Sequence, residues 1–380
     1  MAQIWSAVKR YLKNGDTLLL ALCIAAAVLG IVLISSATRP LENARHYVVV
    51  QAVSLIIGII MFVMFSLIDL ELLCDRWKLL LLFNVVSIAS LLILGVEGNT
   101  GNRSWISYSW MPIAIQPAEI VKLTFVLLLA RQMHAYRERI NAPSRIIKLL
   151  LHIFLMLGLI MFCSKDAGMA LVYAVIFTFM AFAAGISLPW FLAAFTIIAA
   201  ATPLIWNSGL VSAYQKDRIL VIIDPSIDPD NLQAGWQAAQ SKLAIGGGQL
   251  FGQGLYKGNM TQSGSVFAMH NDFIFACAGE EFGIIGCCVL IALLTGIIVC
   301  CLFRAIKCKR PMSALICAGF AGMLTFQTFE NIGMCLGITP VIGLTLPFIS
   351  YGGSSLVATF CCMGIVSGIR LKPPPIINRY

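Results

Sequence analysis

Asp272 is the residue of this chain whose surroundings best suit acid–base chemistry. It lies in the segment HNDFIFACAGEEFG and is followed at once by Phe273 and Ile274, so its carboxylate is predicted to lie at the edge of an apolar region. Partial removal of water raises the pKa of a carboxylate towards the range that suits a general base. The residues alone leave two interpretations open, a general base and the cap of a helix at an interface.

Further ionisable residues occur in or beside apolar runs. Glu119 and Lys122 are three positions apart, so on a helix they face the same way. Ionisable groups in such runs are costly and indicate function by default. The two residues either line a polar cavity or form a structural ion pair that fixes helix packing. Lys165 and Asp166 follow the next apolar run, where the alternatives are a site residue and a solvated turn.

Basic residues are candidates for binding an anionic group such as a diphosphate. Three of them lie between apolar runs, on the same predicted side of the membrane as Asp272: Arg103, Arg218 and Lys242. Arginine suits phosphate oxygens because its guanidinium binds them in a bidentate geometry. Glu280 and Glu281 are adjacent, so on a helix at most one of them faces the same cavity, and Glu281 is the candidate.

Other chemistries find no matching motif. The thirteen cysteines include no CxxC and no Cys/His pair with metal-ligand spacing, and nearly all lie inside apolar runs as small packing residues. The four histidines are scattered without HExxH, and the run GGGQLFGQG does not fit the dinucleotide-binding fingerprint. The sequence therefore predicts no resident cofactor, while a need for a divalent cation stays open.

The elements that must position these residues are membrane-spanning helices. The chain has 380 residues, of which 59% are hydrophobic and 11% charged, whereas soluble domains carry about 25% charged residues. About 20 apolar residues suffice to cross a bilayer, and continuous rather than alternating runs exclude a barrel. The runs predict an all-α integral membrane protein of about ten transmembrane helices, forming a single domain over 1–380. The predicted spans are 17–37, 46–68, 78–95, 117–134, 147–163, 167–185, 188–206, 283–303, 312–336 and 342–368.

The distribution of positive charge predicts the orientation, because Lys and Arg concentrate on the cytoplasmic side. With the amino terminus inside, 17 of the 26 Lys and Arg residues fall on the cytoplasmic side, eight fall outside and Lys122 lies within a span. We expect both termini inside, an uncleaved signal anchor as the first span, and a short cytoplasmic tail at 370–380. Anionic lipid accounts for the net charge of +9, so no nucleic acid partner is expected.

One extracytoplasmic connection, 207–282 between the seventh and eighth spans, is much longer than most others. Long loops in compact proteins are often functional. This one contains a Pro/Asp cluster and a predicted helix at Leu232–Ile245. On that helix Leu232, Trp236 and Leu243 are predicted to form an apolar face against the membrane.

Six stretches carry a resemblance that covers essentially the whole chain. They are QPAEIVKL at 116–123, SKDAGMA at 164–170, YQKDRI at 214–219, QSKLAIGGGQLFGQG at 240–254, NDFIFACAGEEFG at 271–283 and PFISYGGSSL at 347–356. In this order, and with the long loop between the seventh and eighth spans, the chain resembles the SEDS proteins (shape, elongation, division and sporulation) of the RodA/FtsW type.

The resemblance implies a glycosyltransferase that polymerises lipid II, a disaccharide-peptide on undecaprenyl diphosphate, into peptidoglycan strands outside the bacterial cytoplasmic membrane. It implies that the essential loop carboxylate is Asp272, that the span-four acid and base are Glu119 and Lys122, and that the acid after span five is Asp166. Asp272 would act as the base, and the basic residues named above would bind the diphosphate. The family usually works with a class B penicillin-binding transpeptidase, which is therefore the expected partner.

Alternatives remain open at this stage. NIGM followed by TPVIG, within 331–343, favours a role in elongation and cell shape over division or sporulation. A transporter that flips lipid-linked precursors is the main rival function, and a non-catalytic scaffold of the cell-wall machinery is another. Transporters often contain inverted repeats. No repeat is found here and the best acid lies at the outer rim, which favours chemistry over transport.

Overall fold

The computed structural model describes residues 16–97, 102–108, 111, 113–209, 213–224, 227–228 and 235–371, which are predominantly helical. The helices of the first half are α1 (Thr17–Ala37), α2 (Ala44–Leu67), α3 (Leu70–Asp75), α4 (Trp77–Ala89), α5 (Leu91–Leu94), α6 (Pro117–Ala135), α7 (Pro143–Cys163) and α8 (Ala167–Ala183). Those of the second half are α9 (Leu188–Asn207), α10 (Ala213–Ile223), α11 (Trp236–Gly248), α12 (Asn259–Gln262), α13 (Ile274–Lys307), α14 (Pro311–Leu336) and α15 (Gly353–Leu371).

Within the described residues, eight helical segments are long and apolar enough to cross a membrane. They are α1, α2, α4 together with α5, α7, α9, α13, α14 and α15. The predicted all-α, multi-pass membrane fold is therefore confirmed. Helices α6 and α8 coincide with two further predicted spans, but α6 carries Glu119, Lys122 and Arg131, and α8 has only 17 residues. The total of ten spans and the orientation of the termini stay predictions.

Polar contacts at opposite ends of α1 define the two ends of the molecule. At one end, Asp16 caps α1 and accepts hydrogen bonds from Nε and Nη2 of Arg304 at 2.9 and 2.6 Å, which ties α1 to the end of α13. At the other end, Ser36 donates to Glu281 at 2.6 Å, which ties the end of α1 to the first part of α13. Helices α1 and α13 are therefore antiparallel. We call these ends the Asp16 end and the Asp272 end.

The tenth predicted span, 342–368, is wrong at its start, because α15 begins only at Gly353. Residues 337–352, called the 337–352 segment below, are irregular instead. Its residues with positive φ are Gly337, Gly343 and Phe348. Most of its apolar side chains, such as Leu344 and Leu346, are buried against protein, whereas Ile338 is 63% exposed. Irregular backbone occurs at membrane depth where protein groups satisfy its hydrogen bonds, and the apolar pattern alone does not distinguish burial in protein from burial in lipid.

Helix α13 starts at Ile274, and the eighth predicted span, 283–303, corresponds to its second part. Gly283 has φ 66° and ψ −166°, so two helical pieces meet there at a kink. The first piece packs closely on α11. A side chain at Gly248 would overlap the main chain of Gly279, so glycine permits this close approach.

The helix predicted at Leu232–Ile245 is observed as α11, and residues 229–234 lie outside the described part of the chain. The buried residues of α11 are Ser241, Ala244 and Gly248. These small residues allow close packing on the neighbouring helices α13 and α14. Leu243 is 63% exposed, so its contact with the membrane stays a prediction. The predicted tail lies outside the described residues from 372 onwards, as do the first 15 residues.

Candidate active site

The 337–352 segment holds the loop that carries Asp272. Three consecutive main-chain oxygens of this loop accept hydrogen bonds. That of His270 accepts from the amide of Tyr351 at 2.9 Å, and that of Asn271 accepts from Oγ of Ser350 at 2.6 Å. The third belongs to Asp272 and is bound by a side chain of α14. The acid therefore lies on a backbone that the rest of the fold holds in place.

Asn331 provides the contact from α14. Its Nδ2 donates to the main-chain oxygens of Asp272 and Leu344, at 2.7 Å in each case, and the side chain is fully buried. One amide thus joins the catalytic candidate to the 337–352 segment. Asp272 itself remains partly exposed, so a substrate can reach this residue.

Gly343 lies directly beside the carboxylate of Asp272. A Cβ atom built on Gly343 would lie 3.5 Å from Oδ2 of Asp272, and its φ of +73° is one that other residues rarely adopt. Glycine at this position therefore allows the turn of the 337–352 segment and leaves room next to the acid.

The electrostatic environment makes Asp272 a more basic carboxylate than usual. Burial raises its pKa from 3.8 to about 6, the negative charge of Asp166 acts in the same direction, and the positive charge of Arg218 lowers it. The group is therefore ionised at neutral pH, but it accepts a proton more readily than an exposed aspartate. This property suits a general base.

Asp166 caps α8 and is tied to its neighbours by three hydrogen bonds. Its Oδ1 accepts from the amide of Met169 at 2.9 Å, and its Oδ2 accepts from Ser104 at 2.9 Å and from Gln116 at 3.4 Å. Burial raises the pKa of Asp166, and the bonds from Met169 and Ser104 oppose this shift. Because Gln116 precedes α6, Asp166 joins the start of α6 to the start of α8.

Glu119 and Lys122 form an ion pair in α6. Lys122 Nζ lies 2.7 Å from Glu119 Oε2, and each side chain is only 2% exposed. Both charges act on Asp166, whose own charge acts on Asp272. The structure thus shows the ion pair and also places it in a series of charged groups that leads to Asp272. A role in lining a cavity stays a prediction.

Two of the predicted cations lie against the 337–352 segment. Arg218 of α10 donates from Nη1 to the main-chain oxygen of Val341 at 2.9 Å. Lys242 of α11 is exposed, and its Nζ lies 3.2 Å from the position that a Cβ of Gly337 would occupy. The segment that packs beside Asp272 therefore also contacts these two cations.

The structure does not bring Arg103 and Glu281 to Asp272 through direct contacts. Arg103 forms an exposed ion pair with Glu97 at 3.2 Å. The carboxylate of Glu281 accepts hydrogen bonds from Ser36 at 2.6 Å and from Gln262 at 3.3 Å, so it joins α1 to the long loop. Their roles in substrate binding stay predictions.

Glu330 is a buried acid that the sequence analysis missed. It is 3% exposed, its Oε1 lies 3.5 Å from Oγ1 of Thr339, and the charge of Asp272 acts on it. It immediately precedes Asn331 in α14. The sequence does contain the pattern that would have identified it, because Glu330 is an ionisable residue inside an apolar run, which indicates function by default.

The described residues contain no group of three or more His, Cys, Asp or Glu side chains arranged to hold a metal ion. The structure therefore assigns no ligands to the divalent cation that the sequence left open. The site offers a carboxylate with a raised pKa, a buried ion pair whose charges act on the neighbouring acid Asp166, and two cations along one segment. This arrangement suits proton removal beside an anionic group.

Comparison with models of known protein families identifies the family of this chain. The family model for cell cycle proteins of the FtsW, RodA and SpoVE type matches residues 16–372. The chain belongs to this family. The resemblance drawn from the six motifs is therefore confirmed, and the matched range includes all the site residues described above.

Relatives within the FtsW/RodA/SpoVE family include proteins with two different names. The peptidoglycan glycosyltransferase MrdB of Escherichia coli K12 is 34% identical over 264 residues, which cover 69% of this chain and 70% of that protein. The probable peptidoglycan glycosyltransferase FtsW of Trichlorobacter lovleyi is 30% identical over 377 residues, covering 95% and 96%. The chain thus matches relatives of both names over more than two thirds of its length.

A solved structure shares the fold of this family member. A chain from a peptidoglycan synthase complex that coordinates polymerization and crosslinking superposes with a TM-score of 0.79 and 29% identity. The match covers 94% of this chain and 97% of that one.

Proposed function

We propose that this chain is a peptidoglycan glycosyltransferase that polymerises lipid II at the outer face of the bacterial cytoplasmic membrane. Membership of the FtsW/RodA/SpoVE family and the two relatives named as peptidoglycan glycosyltransferases support this assignment. The main structural observation behind the proposal is the environment of Asp272, a partly exposed carboxylate with a pKa of about 6 on a loop held by several hydrogen bonds.

In the proposed reaction, Asp272 removes the proton from a hydroxyl of the acceptor sugar. The oxygen attacks the anomeric carbon of the donor sugar, the bond from that carbon to phosphate oxygen breaks, and the diphosphate leaves with the electron pair. Attack from the face opposite the leaving group inverts the configuration. The proton stays on the carboxyl group of Asp272 until water removes it. A positioned base typically contributes about 10²–10⁴-fold to the rate.

The leaving diphosphate needs positive charge to stabilise it. Arg218 and Lys242 are the best-placed candidates, since both contact the 337–352 segment that also packs beside Asp272. Arg103, already paired with Glu97, is a weaker candidate. Glu119, Lys122 and Asp166 would shape the polar cavity beneath, and Glu281 would support the long loop.

The proposed partner is a class B penicillin-binding transpeptidase, which would cross-link the new strands. The fold match to a chain of a complex that coordinates polymerization and crosslinking supports this proposal. Within this function, we favour elongation, because NIGM and TPVIG resemble the elongation type. A flippase or scaffold would share the fold but would make no glycan.

The decisive experiment is lipid II polymerisation by the purified chain, alone and with its transpeptidase partner. We expect glycan strands from the wild type and a loss of about 10²–10⁴-fold in Asp272→Asn. Glu71→Gln is the matched control, because it removes an exposed carboxylate at the Asp16 end, where Glu71 forms an ion pair with Arg310. Absence of glycan from the wild type under both conditions would refute the function, whereas full activity in Asp272→Asn would refute only the base.

A further inference from the structure

A cavity lies far from Asp272, at the Asp16 end of the molecule. It has a volume of about 430 Å³ and opens between α4, α6 and α7. Its position follows from the chain, since α4 and α7 begin at this end and α6 finishes there. The proposed glycosyl transfer does not use this cavity, and its lining has a distinct chemical character.

Two cations lie in the lining of the cavity, and its lining contains no Asp or Glu. Arg131 stacks over the ring of Trp77 at 5.4 Å, and Lys148 is exposed. Neither cation forms an ion pair with a carboxylate of the described residues. The cavity therefore presents two cations that have no carboxylate partner among the described residues.

The cations and the apolar residues are ordered along the helices. Lys148 is near the start of α7, and Leu155, which also lines the cavity, follows seven residues later, about 10 Å along the helix. On α4, Trp77 is the first residue and Leu81 follows one turn deeper. The charged and aromatic groups thus lie at the molecular end, and the leucines lie towards the membrane interior.

Between the cations and the leucines, the buried Nε2 atom of His152 has no hydrogen-bond partner among the described residues. Gln132 donates from Nε2 to the main-chain oxygen of Lys148 at 3.2 Å, so its Oε1 accepts from Nδ1 of His152 at 2.8 Å. With Nδ1 as donor, Nε2 of a neutral His152 is an acceptor. That atom is buried and finds no partner among the described residues. It could accept a hydrogen bond from a hydroxyl group.

We infer that this cavity binds one anionic phospholipid from the leaflet at the Asp16 end. The phosphate lies between Arg131 and Lys148, and an acyl chain follows the leucines of α7, of which Leu151 and Leu155 are 63% and 45% exposed. A headgroup hydroxyl, as in phosphatidylglycerol, donates to His152. Basic pockets between transmembrane helices are known sites for such headgroups. The apolar zone distinguishes a lipid from a free phosphate ion.

The test is lipid binding to the delipidated full-length chain in detergent, followed by native mass spectrometry. Phosphatidylglycerol, phosphatidylcholine and inorganic phosphate are titrated separately. We expect one tightly bound phosphatidylglycerol and weaker binding of phosphatidylcholine. Arg131→Gln/Lys148→Gln should weaken phosphatidylglycerol binding about 30-fold, because each basic residue contributes about 1 kcal/mol near anionic lipid and about 1.4 kcal/mol is tenfold.

The matched control is Arg137→Gln/Arg139→Gln, which removes two charges from the neighbouring turn outside the cavity. It should change binding less than about twofold. Lys148→Gln alone, at an exposed side chain, tests the same site if the double variant misfolds. Leu155→Trp should block the acyl chain but leave phosphate binding intact. Equal affinity for both lipids, equal effects of the two double variants, or binding of phosphate alone would overturn the inference.

Discussion

Nδ2 of Asn331 lies 2.7 Å from the main-chain oxygen of Asp272, and the same amide is 2.7 Å from that of Leu344. Both acceptors are carbonyl oxygens, so only the amide nitrogen can make these contacts. The side chain of Asn331 is fully buried. Asn331 thus adds a contact from α14 to those that Ser350 and Tyr351 make with the loop of the proposed base, and it also joins this loop to Leu344.

Replacing Asn331 should therefore damage activity more than stability of the helices. Asn331→Leu keeps the shape but removes this donor from both carbonyl groups. That of Asp272 keeps a weak contact with Sγ of Cys335 at 3.8 Å, and a buried group left unsatisfied costs about 1–3 kcal/mol. We expect a large fall in lipid II polymerisation with helical content retained, as measured by circular dichroism. Thr328→Val is the control, because the hydroxyl of this buried α14 residue has no hydrogen-bond partner among the described residues. Equal rates in the two variants would argue against the role of Asn331.

Gly343→Ala should slow the reaction by shifting the turn beside the carboxylate of Asp272. Alanine rarely adopts the φ of +73° found at Gly343, so the backbone next to Oδ2 of Asp272 should move, and displacements of about 1 Å in a catalytic group cost up to about 10²-fold in rate. Gly185→Ala carries the same backbone strain, since Gly185 also has positive φ, but no atom lies within 4 Å of its Cβ. The difference in kcat between the two variants measures the part of the loss that arises from the position of Gly343 next to Asp272. Similar losses in both would assign the effect to backbone strain alone.

Polymerisation should depend on pH through Asp272. The protonated carboxyl cannot accept a proton, so kcat/KM should fall as the pH drops through about 6. The charge of Arg218 favours the ionised form, so Arg218→Gln should raise the pKa of Asp272. The acid limb of the kcat/KM profile should then move to higher pH by up to about 1 unit. Arg218→Lys keeps the charge and should shift the limb less. An acid limb that stays in place in Arg218→Gln would exclude this coupling.

Variants of the Glu119–Lys122 ion pair can distinguish a structural role of the pair from a role in the predicted polar cavity. Glu119→Gln or Lys122→Met alone leaves a buried charge without its partner and should cost about 3–5 kcal/mol in the free energy of unfolding. The double variant should recover most of that stability, as thermal unfolding in detergent would measure. If it is stable and inactive, the pair acts in the polar cavity; if stable and active, the pair is structural. Single variants as stable as the wild type would contradict the buried pair.

Much of the site could be predicted from local sequence. Asp272, Glu119 and Asp166 were found because an acid beside or within an apolar run is rare and costly. Glu330 follows the same rule and was missed, since no motif drew attention to it. The positions of Arg218 and Lys242 along the 337–352 segment could not be predicted, because they depend on contacts between residues about 100 positions apart.

The sequence by itself determined that the chain is a helical membrane protein of the FtsW/RodA/SpoVE family. The length of an apolar run and the order of motifs are local properties, and the bilayer requires runs of about 20 residues to be helical. Only the tertiary structure decided that residues 337–352 are irregular, that Glu281 contacts Ser36, and that α4, α6 and α7 enclose a basic cavity. Hydrophobicity is the same whether a side chain packs against lipid or against protein, so these features depend on which distant segments meet.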